Sequence, residues 1–466
     1  MHGGLPKSET PKLETPKLET GAGFGWLGII RIGLVQAAIG ALVMLATTVL
    51  NRIMVVELSL AAAIPAGLVA WHYGVQLARP LWGHGSDKGA KRTPWIIGGI
   101  AVLAAGGMLA TQATLMMASS FPLASALAVI AYALIGVGVG AGGTSALALL
   151  ASGVAPQRRA AAAAVTWIMM VGGIVASAIT VGKLLIPYSP ARLIEVAAGL
   201  ALVMVALVVI VTFRLERQAG HFRDAADDAP APDFRAAIAE IWAEPSARRF
   251  TIFIFVSMIA FSMQDLILEP FTGLVFGLAP GESTKTVGQY HQGGILIGMI
   301  LAGVGGSAFT GKRPDGLRPW VVAGCLVSGL GLGALGVAAV TGPPWPLELN
   351  LLVIGLGNGV FAVAAIGAMM GLAGAGETTR EGVRMGVWGA SQAIAFGLGG
   401  LLGAVGLDLA RAALGDVGAA FQLIFAIEAG AFVLAAILAV TATGGAAMRA
   451  SLIKRERPIR SEEQFA

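Results

Sequence analysis

Charge is what this sequence has least of. Only 12% of its 466 residues are Asp, Glu, Lys or Arg, against roughly 25% in an ordinary soluble domain, and that shortfall excludes a chain whose whole surface faces water. Cysteine is all but absent: Cys325 stands alone, which excludes an intramolecular disulfide, a CxxC redox pair and a Cys/His zinc spacing. Residues 1–25 are polar and repetitive and lack the apolar stretch of about 7 to 15 residues that a secretory leader needs. What fills the chain is apolar, with 56% hydrophobic residues and a mean hydropathy of +0.80. Lipid is therefore the solvent for much of it. At roughly 20 apolar residues per spanning helix, the length accommodates about twelve spans.

Apolar runs place those spans near residues 28–50, 60–81, 94–116, 122–151, 160–186 and 192–213, and again near 250–276, 286–308, 319–341, 348–373, 385–407 and 417–445. Runs this uniform favour helices over a membrane barrel, whose strands alternate every second residue. The expected fold is an all-α membrane protein of two six-helix bundles, residues 26–213 and 250–446, joined by a cytoplasmic linker, 214–249. A disordered cytoplasmic tail built on SETPKLETPKLETG (1–25) precedes them, and a second cytoplasmic tail (447–466) follows. In the linker, Phe234, Ile238, Ile241 and Trp242 recur at helical spacing, which reads either as an amphipathic helix on the inner membrane surface or as a solvated linker helix. With the N-terminus inside, roughly 26 of the 31 Lys and Arg fall on the cytoplasmic side, and only Arg52, Lys183, Arg192, Lys285 and Arg411 fall outside. Both termini are thus expected in the cytoplasm.

The two halves carry traces of each other. IGVGVG (135–140) and IGLGNG (354–359) are offset by 219; Arg159 and Trp167 match Arg380 and Trp388 at 221; RTPW ending at Trp95 matches RPW ending at Trp320 at 225. These offsets predict bundles related by a pseudo-two-fold axis along the membrane normal, with any cavity on that axis. Such an architecture is similar to the major facilitator superfamily. The glycines of GVGVGAGG predict close helix packing; a dinucleotide loop needs a strand before it, so neither a nucleotide nor a nucleic acid is expected as a partner.

Polar residues inside apolar runs are costly in lipid unless they have a partner or a task. NRIMVVEL supplies Asn51, Arg52 and Glu57, and MQDLILEP supplies Gln264, Asp265 and Glu269, at repeat-equivalent ends. Arg52 is placed to pair with Asp265 or Glu269 across the outer mouth as a gate; interfacial anchoring is the other reading. The loop GHGSDKGAKR, Gly83 to Arg92, resembles the superfamily's loop signature, with Asp87 accepting from helix N-termini while Lys88, Lys91 and Arg92 hold the inner surface, a gating role. His72 in AWHYG and His291 in QYHQGG are again 219 apart. A neutral imidazole is a good axial ligand for a metal within a planar ring, and Trp71, Tyr73 and Tyr290 offer flat surfaces to it; a local hydrogen bond is the alternative. Counted from the loop glycines that follow them, the two histidines differ in depth by about one turn, ~5 to 6 Å. Glu428 is a proton-relay candidate without an evident partner, and Trp167, Trp388, Met169 and Met170 read as packing. No nucleophile, base and acid converge, so no enzyme is expected.

Taken together, LVQAAIGALVMLATTVLNRIMVVEL, RPLWGHGSDKGAKRTPW and AEPSARRFTIFIFVSMIAFSMQDLILEPFTGLVFG resemble the PucC/LhaA family, the bacteriochlorophyll delivery family of phototrophic bacteria. The most specific parts are NRxMxVEL and QDLxLEPF. The resemblance implies a twelve-helix protein of the bacterial inner, photosynthetic intracytoplasmic membrane that holds bacteriochlorophyll or a precursor as cargo. Its partners are then light-harvesting apoproteins or pigment-synthesis enzymes, and the subgroup stays open. The glycine two residues after Asp87, where the superfamily usually has three, is a departure. Two other readings stand beside this one: a proton-coupled transporter of a small solute using Asp265, Glu269 and Arg52, and a pigment-free assembly scaffold.

Overall fold

A computed structural model describes residues 23–78, 91–154, 159–216, 242–243, 245–309, 317–373 and 381–456. Asp87, Phe234, Ile238, Ile241, Arg380, residues 1–22 and 457–466, and the side chain of Trp388 lie outside the described residues. Among the described residues all regular structure is helical, as it must be where no water competes for backbone N–H and C=O groups.

The first six apolar runs give α1 (Trp26–Glu57), α2 (Ala63–Gln76), α3 (Thr93–Met116), α4 (Phe121–Gly153), α5 (Arg159–Leu184) and α6 (Pro190–Thr212). The remainder gives α7 (Pro245–Met263), α8 (Leu268–Phe276), α9 (Pro280–Thr286), α10 (Gly293–Phe309), α11 (Arg318–Thr341), α12 (Leu347–Ala373), α13 (Glu381–Leu414) and α14 (Val417–Glu456). Ten helices among the described residues are long and apolar enough to cross a membrane.

Three stretches depart from the plain runs read in the sequence. The seventh run breaks: α7 gives way to a 3₁₀ turn, Gln264–Leu266, before α8. Pro270 sits in the first turn of α8, where a missing N–H costs nothing because that turn has no partner for it. The eighth run divides into α9, a π turn over Val287–Gln292, and α10. The last turns of α1 also widen to π geometry over Leu45–Leu50 and Ile53–Glu57, with Leu58 N–H bonding back five residues to Ile53 O at 3.0 Å.

Glycine sets how closely these helices approach. A Cβ on Gly138 would meet the backbone of Leu103 and Gly99, so α3 and α4 lie backbone to backbone; Gly294 and Gly298 do the same for α10 on α12. This is the packing expected of the GVGVGAGG run, in a medium where close van der Waals contact replaces the hydrophobic drive between helices. Large apolar side chains such as Leu202, Ile210, Val304 and Leu330 face outward. The first six helices meet the rest along two seams: α2 against α13, and α5 against α9 and the π turn before α10.

Candidate functional site

At the end of the bundle where α1 finishes, polar groups tie the two seams together. Asn51 Nδ2 donates to the Leu266 carbonyl at 2.8 Å. Arg52, 2% exposed, donates from Nε to Ser283 Oγ at 3.1 Å, from Nη2 to the Leu278 carbonyl, and from Nη1 to Glu57 Oε1 at 2.6 Å. The expected pair with Asp265 or Glu269 is therefore corrected: the ion-pair partner of Arg52 is Glu57. Five residues apart on an α-helix the two would diverge, but the π turn that follows Arg52 closes every fifth residue and brings them together. Tyr188, in the loop after α5, has its phenol raised above its ordinary value, first by burial and then by the charge of Glu57, against a lowering by Arg52. On the other seam, Asp408 of α13 accepts from the backbone N–H groups of Ala62 at 3.0 Å and Ala63 at 2.7 Å, at the start of α2. Sequence reading passed over Asp408 because it ended that run at residue 407, whereas α13 continues to Leu414. Gly182 and Gly281 complete this end, each backbone occupying the place of the other's missing Cβ.

Just inside this end lies a chamber of about 10 Å³ lined by Met44, Thr48, Ile174, Ala178, Asp265, Leu268, Glu269, Val287, Gly288, His291 and Gln292. Both groups of helices contribute to it. His291 is 1% exposed; its Nε2 lies 3.4 Å from Asn358 Nδ2 and its Nδ1 has no partner. Glu269, also 1% exposed, accepts from Thr284 Oγ1 at 3.3 Å through Oε2 and leaves Oε1 without a partner. Glu428 of α14 is fully buried with both carboxyl oxygens unpartnered. A space this size holds about one water, whereas ligand cavities run to roughly 300 to 1,000 Å³. The space at His291 in this conformation is far smaller than a macrocycle. Its neighbour Tyr290 is only half-buried and packs at the edge of the core.

His72 is 2% exposed, with Nε2 at 2.8 Å from Gln76 Nε2 one turn on. Consecutive residues on a helix point in different directions, and Trp71, His72 and Tyr73 do so. Trp71 turns outward, 46% exposed, with its indole N–H on the Val129 carbonyl at 3.1 Å, so it does not share a face with His72 as expected. Tyr73 turns to α13. A row of rings runs from His72 to Tyr73 (centroids 4.8 Å apart), to Phe396 of α13 (6.5 Å) and to Phe261 of α7 (5.7 Å). The last three are each half-buried along the α2/α13 seam. The His72 carbonyl abuts Gly136 and the His291 carbonyl abuts Gly355, glycines themselves 219 residues apart.

At the far end of the bundle, Arg92 Nη1 donates to the Ala148 carbonyl at 2.6 Å. Glu216, unremarked in the sequence reading, accepts from the Arg92 backbone N–H at 2.5 Å and from Thr93 Oγ1 at 2.8 Å, capping α3.

Residues 49–446 match the family model described as PUCC protein. The chain is 50% identical over 425 residues to the bacteriochlorophyll synthase 44.5 kDa chain of Rhodobacter capsulatus, covering 91% of this chain and 97% of that one. It is 31% identical to protein PucC of Rhodobacter capsulatus, over 88% of this chain and 91% of that one. Among solved structures it resembles a bacterial homologue of the human lysosomal transporter Spinster in an inward-facing, unoccupied conformation, with a TM-score of 0.62, 14% identity, and 92% and 97% coverage. It also resembles the peptide transporter POT in complex with sulfate, with a TM-score of 0.63, 15% identity, and 89% and 94% coverage. These likenesses show the fold of major facilitator-type transporters.

Proposed function

Since the chain belongs to the PUCC family, we propose that it holds bacteriochlorophyll or a precursor as cargo and hands it to light-harvesting apoproteins, or works beside the pigment-synthesis enzymes, without itself catalysing a reaction. The row of rings His72, Tyr73, Phe396 and Phe261 on the α2/α13 seam carries this reading. A magnesium tetrapyrrole with an isoprenoid tail needs flat apolar surfaces, a nitrogen or carbonyl ligand, and access from lipid. A partly accessible aromatic row beside a histidine, between two bundles that face hydrocarbon, offers the flat surfaces and the access, and His72 becomes the ligand once it gives up its bond to Gln76. The names of the relatives point to the same pigment.

In this reading the helices form twelve spans in two equivalent groups, the two shortfalls being α2 and the divided α9/α10 stretch. The matched rest of the His72 and His291 carbonyls on Gly136 and Gly355 supports that equivalence. The tied end then faces the periplasm and both termini the cytoplasm, as the distribution of Lys and Arg favours.

The test is spectroscopic. Protein purified from pigment-producing cells should carry near-infrared absorbance at about one pigment per chain, most of it lost in His72→Ala and in Tyr73→Ala. A colourless protein that co-purifies with antenna polypeptides would make it a scaffold instead.

A further inference from the structure

We propose that the chamber between α1, α5, α8 and the π turn is a proton-exchange site, in which Glu269 takes up and releases one proton through a single water shared with Asp265 and His291, and that release accompanies opening of the tied end. The inference does not depend on what the cargo is.

Two residues that carry orphan atoms line one small space. His291 Nδ1 and Glu269 Oε1 are each on residues 1% exposed, each without a partner, and both residues line the same cavity. Buried polar atoms are almost always satisfied, so two orphans on one cavity mark a ligand that both can reach. The size selects that ligand. About 10 Å³ takes a single water and nothing larger. A metal ion would need several converging donors, and among the described residues no three His, Cys, Asp or Glu gather closely enough to hold one. A water and the proton it relays are what remain.

The coupling follows from where Arg52 is already engaged. Arg52 lies within electrostatic reach of Glu269, yet it already pairs with Glu57 and binds Ser283 and the Leu278 carbonyl. Glu269 is thus left without an ion pair in the tied state, where an ionised carboxylate without a partner is costly. Drawing Arg52 across from Glu57, its partner on the same helix, would only add a tie between α1 and α8, so the route by which Glu269 ionises is the entry of water, which unties this end. On release the proton passes from Glu269 Oε1 to the chamber water and out through the opened end; on closing it returns the same way. The other titratable or charged groups facing the chamber are Asp265 and His291, with Glu428 of α14 close enough to Asp265 to interact electrostatically. From α1 the lining residues are Met44 and Thr48, and from α5 Ile174 and Ala178, all uncharged.

Spin labels at Ser59→Cys and Ala412→Cys, exposed positions that line a cavity at the tied end, would report its opening by dipolar distance measurement on the full chain in lipid nanodiscs. Acid buffer should give the short distance and alkaline buffer should shift the population to a longer one. Glu269→Gln should keep the short distance in both, and Glu269→Asp should restore the shift. Distances that ignore pH, a shift that Glu269→Gln leaves intact, or a shift that follows sodium at fixed pH would each overturn the proposal. Should Glu269→Gln fail to fold, the unsubstituted chain still decides. Dicyclohexylcarbodiimide, which modifies protonated carboxyls in apolar surroundings, should label Glu269 in acid and lose most of that labelling in alkali; no label on Glu269 in acid would overturn it equally.

Discussion

Arg52 makes three bonds of unequal worth. Its pair with Glu57 involves a carboxylate that is 36% exposed, and half-solvated pairs contribute under about 1 kcal/mol. Its bond to Ser283 is buried and its bond to the Leu278 carbonyl part-buried, and an orphaned buried acceptor costs about 1 to 3 kcal/mol. Glu57→Gln should therefore lower stability by less than ~1 kcal/mol, whereas Arg52→Ala should cost about 3 kcal/mol, read from thermal unfolding in detergent. Arg52→Lys should recover less than half, because an ammonium cannot reach three acceptors in a fixed fork. Equal losses for Glu57→Gln and Arg52→Ala would show the ion pair to be the dominant tie. The cost of charge in lipid made Arg52, Glu57, Asp265 and Glu269 legible as special residues. Their partners were not legible, because Ser283 and Leu278 lie 231 and 226 residues away, and no local pattern reports such a distance.

At the scale of the element, hydropathy and glycine carried most of the information. Spans such as α3, α11 and α12 lie within a residue or so of the apolar runs, since a lipid-spanning helix must be continuous to satisfy its own backbone. Hydropathy averaged over a whole run hid the breaks: the 3₁₀ turn at Gln264–Leu266 and the π turns at Ile53–Glu57 and Val287–Gln292 hold the polar residues read as functional candidates, and the π turn at Leu45–Leu50 falls in an apolar stretch. Pro270 and the polar residues of QDL and VGQYHQ were the available signals. Those irregular turns carry the site, placing Glu57 beside Arg52 and His291 on the chamber. The glycine contacts make a sharper prediction. At Gly355 an added Cβ meets the His291 backbone and Gly294, with no flexible side chain to give way; at Gly107 the nearest atom is the end of Leu45, 3.9 Å off. Gly355→Val should destabilise by about 1 to 3 kcal/mol or more, as overpacking does, while Gly107→Ala should be close to neutral. If melting of the two variants shifts alike, the glycines are not what holds α10 to α12.

For the whole molecule, the question is whether the two groups of helices move as bodies about the seams. The tied end draws on contacts at two seams: Asp408 on the N–H groups of Ala62 and Ala63, and Arg52 on Ser283 and Leu278. If the groups move as bodies, two positions rather than a continuum are expected, because packed interfaces are bistable. Between Ser59 on the α1/α2 loop and Ala412 on α13 lies a cavity of about 440 Å³ at this end, wide enough for a short bifunctional thiol reagent. The only native cysteine, Cys325, is fully buried, and a buried thiol is inert to such reagents. In the Ser59→Cys, Ala412→Cys chain, a short cross-linker that can be cleaved by reduction should hold this end shut. Pigment transfer to antenna polypeptides should then stop, and return on cleavage. A short linker should block where a long flexible one does not, since only the short one forbids the separation. Full transfer with the short link in place would mean that cargo leaves through the seams without the halves parting, and the row of rings on α2, α13 and α7 would then have to be both the seat and the exit.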